Sequence, residues 1–216
     1  MAAAAGADEA RCRFLVALEG EPSAALRAAL TRLAAADRLG GLIATPSPAL
    51  RTFAAALPVA LIAPVGGTGG DGALIASPAG DADGLDKEAE DEGETAAAIA
   101  DRRRRDPDLI LLADVGTSRH AAMEAGEAGA DAVLFTGETA AVRDCVAWWS
   151  ELFVLPAGAQ AVPDEPAALV AAGADFLVVD AARLIGPATT VDLVLDRKST
   201  RLNSSHRYVS RMPSSA

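Results

Sequence analysis

Two short polar segments of this sequence carry side chains that are suited to binding a phosphate group. Arg119 and His120 are adjacent in the first segment. A guanidinium can hold a phosphate through two parallel hydrogen bonds, and an imidazole can donate one or transfer a proton. The second segment contains Thr136, Gly137 and Thr139, whose hydroxyls and backbone N–H groups could surround phosphate oxygens. The spacing therefore predicts phosphate chemistry at these two segments.

The same side chains also have structural interpretations. Arg119 could form a salt bridge with Glu124 or Glu127, five and eight residues further along the chain. His120, the only His before residue 206, could pack in the first turn of a helix. Residues 136–139 could form an ordinary turn. These alternatives remain open from the sequence.

Other residue patterns do not identify a catalytic group. Trp148 and Trp149 lie at helical spacing with Val142 and Val146, which favours packing over stacking on a ligand. No His, Cys or Asp cluster has metal-ligand spacing, and no Ser-His-Asp arrangement or nucleotide-binding fingerprint occurs. The sequence alone leaves the catalytic residues unassigned.

A unit that occurs twice, 44 residues apart, indicates the elements that position these segments. Residues 129–131 and 173–175 both read Gly-Ala-Asp, and each follows a helical pattern and precedes a run of consecutive apolar residues. A Gly suits the position past a helix end, where φ is usually positive. A continuous apolar run is typical of a parallel strand buried on both faces. Two such units in series predict an α/β fold.

Eight apolar runs bounded by turn residues predict eight strands. The runs are residues 14–18, 41–44, 59–63, 73–76, 109–113, 132–135, 153–155 and 176–179. Helical patterns at residues 24–37, 48–56, 94–105, 120–128, 142–152 and 165–172 lie between them. This order predicts a single (β/α)8 TIM barrel, with a doubly wound open sheet as the alternative. In a barrel the loops after the strands carry function, and these include residues 117–120, 136–139, 158–160 and 180–183.

The last twenty residues differ from the rest of the chain. Residues 197–216 contain five basic residues, no acidic residue and six Ser, and they resemble translated adaptor read-through, with a natural basic tail as the alternative. We therefore predict a barrel at residues 13–196, with its C-terminal helix truncated near Asp196. Residues 1–12 are expected to form a disordered N-terminus, and residues 197–216 a disordered tail.

The charge of residues 1–196 excludes some classes of partner. This part holds all 30 acidic residues and 14 basic ones, the 19 of the chain less the 5 in the tail, which gives a formal charge of −16. So acidic a chain is a poor binder of nucleic acid or of anionic membranes. No leader segment and no apolar run of about 18 residues is present, so we expect neither export nor a membrane span. The well-separated Cys12 and Cys145 fit reduced thiols of the cytoplasm. The oligomeric state is not indicated.

An acidic segment lies in the middle of the chain. Residues 81–94 contain eight Asp and Glu, and the basic residues 102–105 follow on the next predicted helix. A solvated loop with a charged helix face is one interpretation, and a regulatory or partner-binding insert is the other.

The sequence resembles the thiamine phosphate synthase family with its tautomerase-like relatives, in particular a divergent proteobacterial branch. The likeness runs over residues 14–196, and it is carried by residues 118–131 (SRHAAMEAGEAGAD), 146–149 (VAWW) and 171–176 (AAGADF). The resemblance implies a transferase of thiamine biosynthesis that joins a hydroxymethylpyrimidine pyrophosphate to a thiazole phosphate. It also implies small phosphorylated substrates, and Mg²⁺ to assist the departure of pyrophosphate.

The resemblance adds candidate site residues and also shows departures from the family pattern. The Gly-Gly that holds phosphate after the seventh strand falls on Ala159 and Gln160, beside Gly158, and the phosphate-binding Ser after the eighth strand falls on Ala181. The candidate substrate-binding residues are Ser118, Arg119, His120, Thr136, Gly137, Thr139, Gly158, Gln160, Ala181 and Arg183. The acidic residue after the fourth strand falls near Ala79; Asp81 or Asp83 could replace it, and Asp81 is the candidate metal ligand.

Several charged positions of the family have no counterpart. Its Gln-x-Arg-x-Lys falls on residues 43–46, which contain no cation, and its Asn-Asp falls on residues 63–65. The Lys after the sixth strand is missing because residues 88–197 contain no Lys. Three functions follow as alternatives: a synthase-like transferase with a degenerate site, a barrel that binds or isomerises a phosphorylated ligand, and a partner-binding scaffold. The resemblance favours an enzyme.

Overall fold

Eight parallel strands form a closed barrel with helices between them. The computed structural model describes residues 12–76, 88–160 and 166–185. The strands are β1 (Arg13–Ala17), β2 (Leu39–Ile43), β3 (Ala60–Ala63), β4 (Gly72–Ala76), β5 (Ile110–Asp114), β6 (Ala132–Phe135), β7 (Ala157–Gln160) and β8 (Phe176–Asp180). Each strand pairs with the next, and β8 pairs with β1. The predicted (β/α)8 TIM barrel is confirmed, and the closure between β8 and β1 excludes the open sheet.

Six helices surround the sheet in the described part of the chain. They are α1 (Ala24–Ala35), α2 (Pro48–Ala55), α3 (Glu88–Arg105), α4 (Arg119–Glu127), α5 (Thr139–Leu152) and α6 (Pro166–Ala171). A 3₁₀ turn, Ala181–Leu184, follows β8. All six predicted helices are present. Helix α3 begins six residues before its predicted start, and α5 begins three residues before its own.

The apolar residues divide into two layers. The larger one lies between sheet and helices and includes Phe14, Leu42, Leu111 and Phe135. The smaller one consists of Leu15, Ile43, Ile62, Leu112 and Ala132, which alternate along their strands with residues of the larger layer. Strands that contribute to both layers read as continuous apolar runs, and this is why they were recognisable from the sequence.

The predicted position of the seventh strand is wrong. It was expected at residues 153–155, but β7 is Ala157–Gln160. Phe153 ends α5 instead, and its ring stacks on Trp149 with 4.0 Å between centroids. Strand β7 is built from small residues because its neighbours crowd it: a Cβ on Gly158 would lie 3.2 Å from Leu134 Cδ1. The predicted loop at residues 158–160 is therefore part of the barrel wall.

The Gly-Ala-Asp units join helix to strand as predicted. Gly129 and Gly173 have φ of +99° and +103°, which a residue with a Cβ adopts only under strain. The Asp131 carboxylate accepts a hydrogen bond from Leu111 N at 2.7 Å, and the Asp175 carboxylate accepts one from Ala157 N at 2.9 Å. Each Asp thus ties the start of its strand to the start of the preceding one.

A third Asp makes the same connection without the same motif. The Asp71 carboxylate, just before β4, accepts a hydrogen bond from Leu61 N in β3 at 2.9 Å. The joints before β4, β6 and β8 therefore share one interaction at the N-terminal face of the barrel: an Asp carboxylate accepts a hydrogen bond from a backbone N–H of the preceding strand. Residues at that face of such barrels serve stability rather than chemistry.

Burial of Cys12 predicts a pH dependence of stability. Desolvation raises the pKa of the Cys12 thiol from 9.0 to about 12, with a smaller contribution from the Asp175 carboxylate. The folded protein therefore keeps a proton that the unfolded chain releases. The stabilisation is complete below about pH 9 and is lost as the pH rises towards about 12. Urea unfolding from about pH 8 to pH 10.5 should show a steeper loss of stability in the wild type than in Cys12→Ala. Equal slopes would contradict the raised pKa.

The bounds of the domain stay a prediction. Residues 1–11 and 186–216, including the predicted tail and the truncated helix, lie outside the described residues. In the described part of the chain, no helix combines the length and the apolar content that a membrane crossing requires.

Candidate functional site

The segments that follow the strands form one rim of the barrel, which we call the barrel mouth. Residues 115–118 follow β5 and lead to the start of α4, residues 136–138 follow β6 and lead to Thr139 at the start of α5, and residues 181–184 follow β8. Ser118, Thr136, Gly137, Thr139, Ala181 and Arg183 lie in these segments, and Gln160 ends β7. Gly158 lies within β7, and Asp81 is outside the described residues. The fold therefore brings most of the predicted substrate-binding residues to one face, and their roles stay a prediction.

Asp114 is a residue of this mouth that sequence reasoning missed. It ends β5, and its Oδ1 accepts a hydrogen bond from Thr136 Oγ1 at 2.7 Å and another from Gly116 N at 3.2 Å. The carboxylate thus links the segment after β5 to the segment after β6. Its signal in the sequence was its position as the first polar residue after a predicted strand.

Glu138 is the second residue of the mouth that the sequence did not single out. It is the N-cap of α5, and its two carboxylate oxygens accept hydrogen bonds from Ala140 N and Ala141 N, each at 3.1 Å. These backbone hydrogen bonds lower the pKa of Glu138. The side chain is therefore a carboxylate at neutral pH, placed where the start of a helix attracts negative charge.

Two further helical segments at the mouth are capped by side chains of the chain itself. Ser118 Oγ accepts a hydrogen bond from Ala121 N at 3.1 Å at the start of α4. An oxygen of the Asp180 carboxylate accepts one from Ala182 N at 2.7 Å at the start of the 3₁₀ turn. Local capping therefore accounts for one contact of each of these polar residues.

Arg119 and His120 lie at the first turn of α4. The Arg119 guanidinium carbon is 4.9 Å from the centroid of the Trp148 ring on α5, an arrangement typical of a cation–π contact. His120 Nε2 lies 3.3 Å from Glu124 Oε1. Arg119 thus makes a cation–π contact instead of the salt bridge considered for it, and Glu124 is the neighbour of the imidazole. The His120 side chain is 64% exposed, so the packing considered for it is not observed.

The two Trp residues pack as expected. Trp149 is 1% exposed, and its Nε1 donates a hydrogen bond to the Leu155 carbonyl at 2.7 Å. Trp148 is half-buried, and its ring lies edge-on to those of Trp149 and Phe153. The prediction of packing for this pair is confirmed.

The described residues do not fit a Mg²⁺ site. No group of three or more His, Cys, Asp or Glu side chains in the described ranges is placed to hold a metal ion. At the mouth, Asp114 Oδ1 already accepts two hydrogen bonds, and both oxygens of Glu138 are engaged by backbone amides. Mg²⁺ usually binds through carboxylate oxygens, water and substrate phosphates.

Comparison with known proteins identifies similar sequences over part of the chain. No family model matches. A thiamine-phosphate synthase from Erythrobacter litoralis is 44% identical over 78 residues, which cover 30% of this chain and 37% of that protein. A thiamine-phosphate synthase from Rhodospirillum centenum is 41% identical over 90 residues, which cover 36% and 43%. The chain thus spans less than half the length of the curated relatives it matches. The predicted resemblance is confirmed over these segments.

Comparison with solved structures supports the barrel. Thiamine phosphate pyrophosphorylase from Pyrococcus furiosus superposes with a TM-score of 0.56 at 17% identity, over 83% of this chain and 90% of that one. A putative deoxyribose-phosphate aldolase from Coccidioides immitis gives 0.59 at 12% identity, over 88% and 85%. The BexX/CysO complex from Amycolatopsis orientalis gives 0.53 at 19% identity, over 82% and 83%. At these identities the likeness is one of fold.

Proposed function

We propose that this chain is a thiamine phosphate synthase-like transferase with a degenerate active site. It would join a hydroxymethylpyrimidine pyrophosphate to a thiazole phosphate. The observation that carries the proposal is the identity of 41–44% to two thiamine-phosphate synthases, in a chain that folds as a barrel with polar residues at its mouth. Active sites of such barrels lie at that face.

The charges at the mouth support a low rate. Loss of pyrophosphate builds negative charge, and preorganised cations and N–H donors must stabilise it. The described residues include no Lys, and the mouth carries the carboxylates of Asp114, Glu138 and Asp180. The Arg119 guanidinium contacts the Trp148 ring. Arg183 is the second Arg among the candidate residues. The field of such a site opposes two multiply negative substrates.

Two further features belong to the proposal. Mg²⁺ is the cofactor that this reaction implies, and Asp81, outside the described residues, is its candidate ligand. The cytoplasm is the proposed compartment, on the basis of two free cysteines in a biosynthetic protein.

A second candidate function is a barrel that binds a small ligand without transferring pyrophosphate. The observation that favours it is the engagement of hydroxyl and amide donors at the mouth by carboxylates of the same chain. Such a mouth can hold a ligand while lacking the donors that would stabilise a departing pyrophosphate.

A direct assay tests the proposed function. Both substrates are supplied with Mg²⁺, and formation of thiamine phosphate is followed. Loss of one preorganised contact lowers a rate by about 10²–10³. Turnover should therefore fall at least that far below the usual range of about 1–10³ s⁻¹. The Erythrobacter litoralis relative is the positive control. Turnover within about tenfold of that range would refute the degenerate site. Failure of the gene to support any growth of a synthase-deficient strain, with no product detected, would favour the binding function.

A further inference from the structure

One side of the mouth consists of the end of β5, the segments that follow β5 and β6, and the first residues of α5 (residues 114–118 and 136–141); we call it the β5–β6 side. Six of its N–H and O–H donors are engaged by oxygens of the chain itself. Asp114 accepts from Gly116 N and Thr136 Oγ1, and Glu138 accepts from Ala140 N and Ala141 N. Two backbone carbonyls accept hydrogen bonds from two more amides: Gly116 O accepts from Thr136 N at 3.0 Å, and Val115 O accepts from Ser118 N at 3.0 Å.

This pattern decides what the β5–β6 side can offer to a ligand. A hydroxyl has one proton and two lone pairs, so Thr136 presents an acceptor once its proton points to Asp114. A phosphate at neutral pH needs donors and is repelled by nearby carboxylates. The lowered pKa of Glu138 keeps that side chain charged. The two carboxylates and the Thr136 hydroxyl are therefore complementary to a donor group rather than to an anion.

We infer that Asp114 and Glu138 are specificity-determining residues. Their carboxylates exclude phosphate from the β5–β6 side, which instead binds an amino or hydroxyl group of the ligand as a hydrogen-bond donor. The inference rests on the proposed function, because it concerns which part of that site receives the phosphates of its substrates. The ligand's phosphates are then held by other parts of the mouth.

A titration with inorganic phosphate and with pyrophosphate, without divalent cations, tests the inference. Binding is followed through the amide resonances of Gly116, Ala140 and Ala141 by ¹H–¹⁵N NMR. In the wild type these resonances should not move. In Glu138→Ala they should move, with affinity raised by at least about fivefold, because even in bulk water a unit charge 4 Å away costs about that factor.

Two further variants keep the result interpretable. Glu151→Ala removes an exposed carboxylate from the other end of the same helix and should behave like the wild type. Asp114→Ala releases Thr136 Oγ1 and Gly116 N, and phosphate should then shift Gly116. If loss of the cap unfolds α5, Glu138→Gln keeps an acceptor for one amide while removing the charge, and the same gain is expected.

The outcomes separate this inference from the proposed function. Phosphate that shifts Ala140 and Ala141 in the wild type, or Glu138 variants that bind no better than Glu151→Ala, would overturn the inference. Neither result requires turnover. The synthase assay could fail while the titration succeeds, and a synthase of the expected low turnover whose phosphates leave these amides unmoved would support both.

Discussion

Replacing Trp149 with Ala should lower the free energy of unfolding by about 3–5 kcal/mol, the range found for large aromatic side chains removed from a core. Trp149 is fully buried on α5. Its ring stacks on Phe153 and lies edge-on to Phe135 on β6, with 6.1 Å between the centroids of the latter pair. The substitution also removes the indole donor of the partly buried Leu155 carbonyl, and loss of this hydrogen bond adds to the cost.

Trp148 provides the matched control for this prediction. It is the adjacent residue on the same helix, but it is only half-buried and contacts Arg119 at the surface. Trp148→Ala should therefore cost less than Trp149→Ala in urea unfolding followed by circular dichroism, which does not depend on either indole. Trp149→Phe should lie between the wild type and Trp149→Ala, since it keeps most of the apolar surface and loses the hydrogen bond. Equal losses for the two Ala variants would contradict the assignment of Trp149 to the core.

Arg103→Ala should lower the free energy of unfolding by about 2–3 kcal/mol, as expected for hydrogen bonds that involve a charged group. Its guanidinium donates to the carbonyls of Pro107, Leu109 and Gly129 and to the Asp131 carboxylate. These acceptors belong to the segments that lead into β5 and β6. The side chain is 27% exposed and that of Asp131 is 48% exposed, so solvent screens the ion pair. Most of the loss is therefore assigned to the carbonyls.

Arg104 is the control for Arg103, since it is the next residue of the same basic run. It is 70% exposed and pairs with Asp101, which also pairs with Arg105. Arg104→Ala should change stability by no more than about 0.5 kcal/mol, as is usual for exposed positions. Arg103→Lys should be almost as destabilising as Arg103→Ala, because a single ammonium cannot reach acceptors arranged for a planar fork. Similar losses for Arg103→Ala and Arg104→Ala would show that the run acts only as a solvated helix face.

The order of strands and helices was readable from the sequence because the buried strands other than β7 are largely apolar on consecutive residues. Gly129 and Gly173 were recognisable as helix ends, since positive φ selects Gly locally. These signals lie within a few residues of each other along the chain. They predicted the count of strands and the face on which residues 117–120 and 136–139 meet, whereas the pairing of β8 with β1 decided between a closed barrel and an open sheet.

The partners of the polar side chains were decided by the tertiary structure. Thr136 and Asp114 are 22 residues apart, and their hydrogen bond exists because β5 and β6 pair in a particular register. In the sequence, Arg103 is one of four consecutive basic residues with no distinguishing signal. In the structure it donates hydrogen bonds to the turn before β5 and to the joint before β6. Strand β7 was misplaced because its small residues reflect the space between β6 and β8 rather than any local apolar pattern. Local periodicity thus specifies elements, whereas the donors and charges of the mouth depend on which elements come into contact.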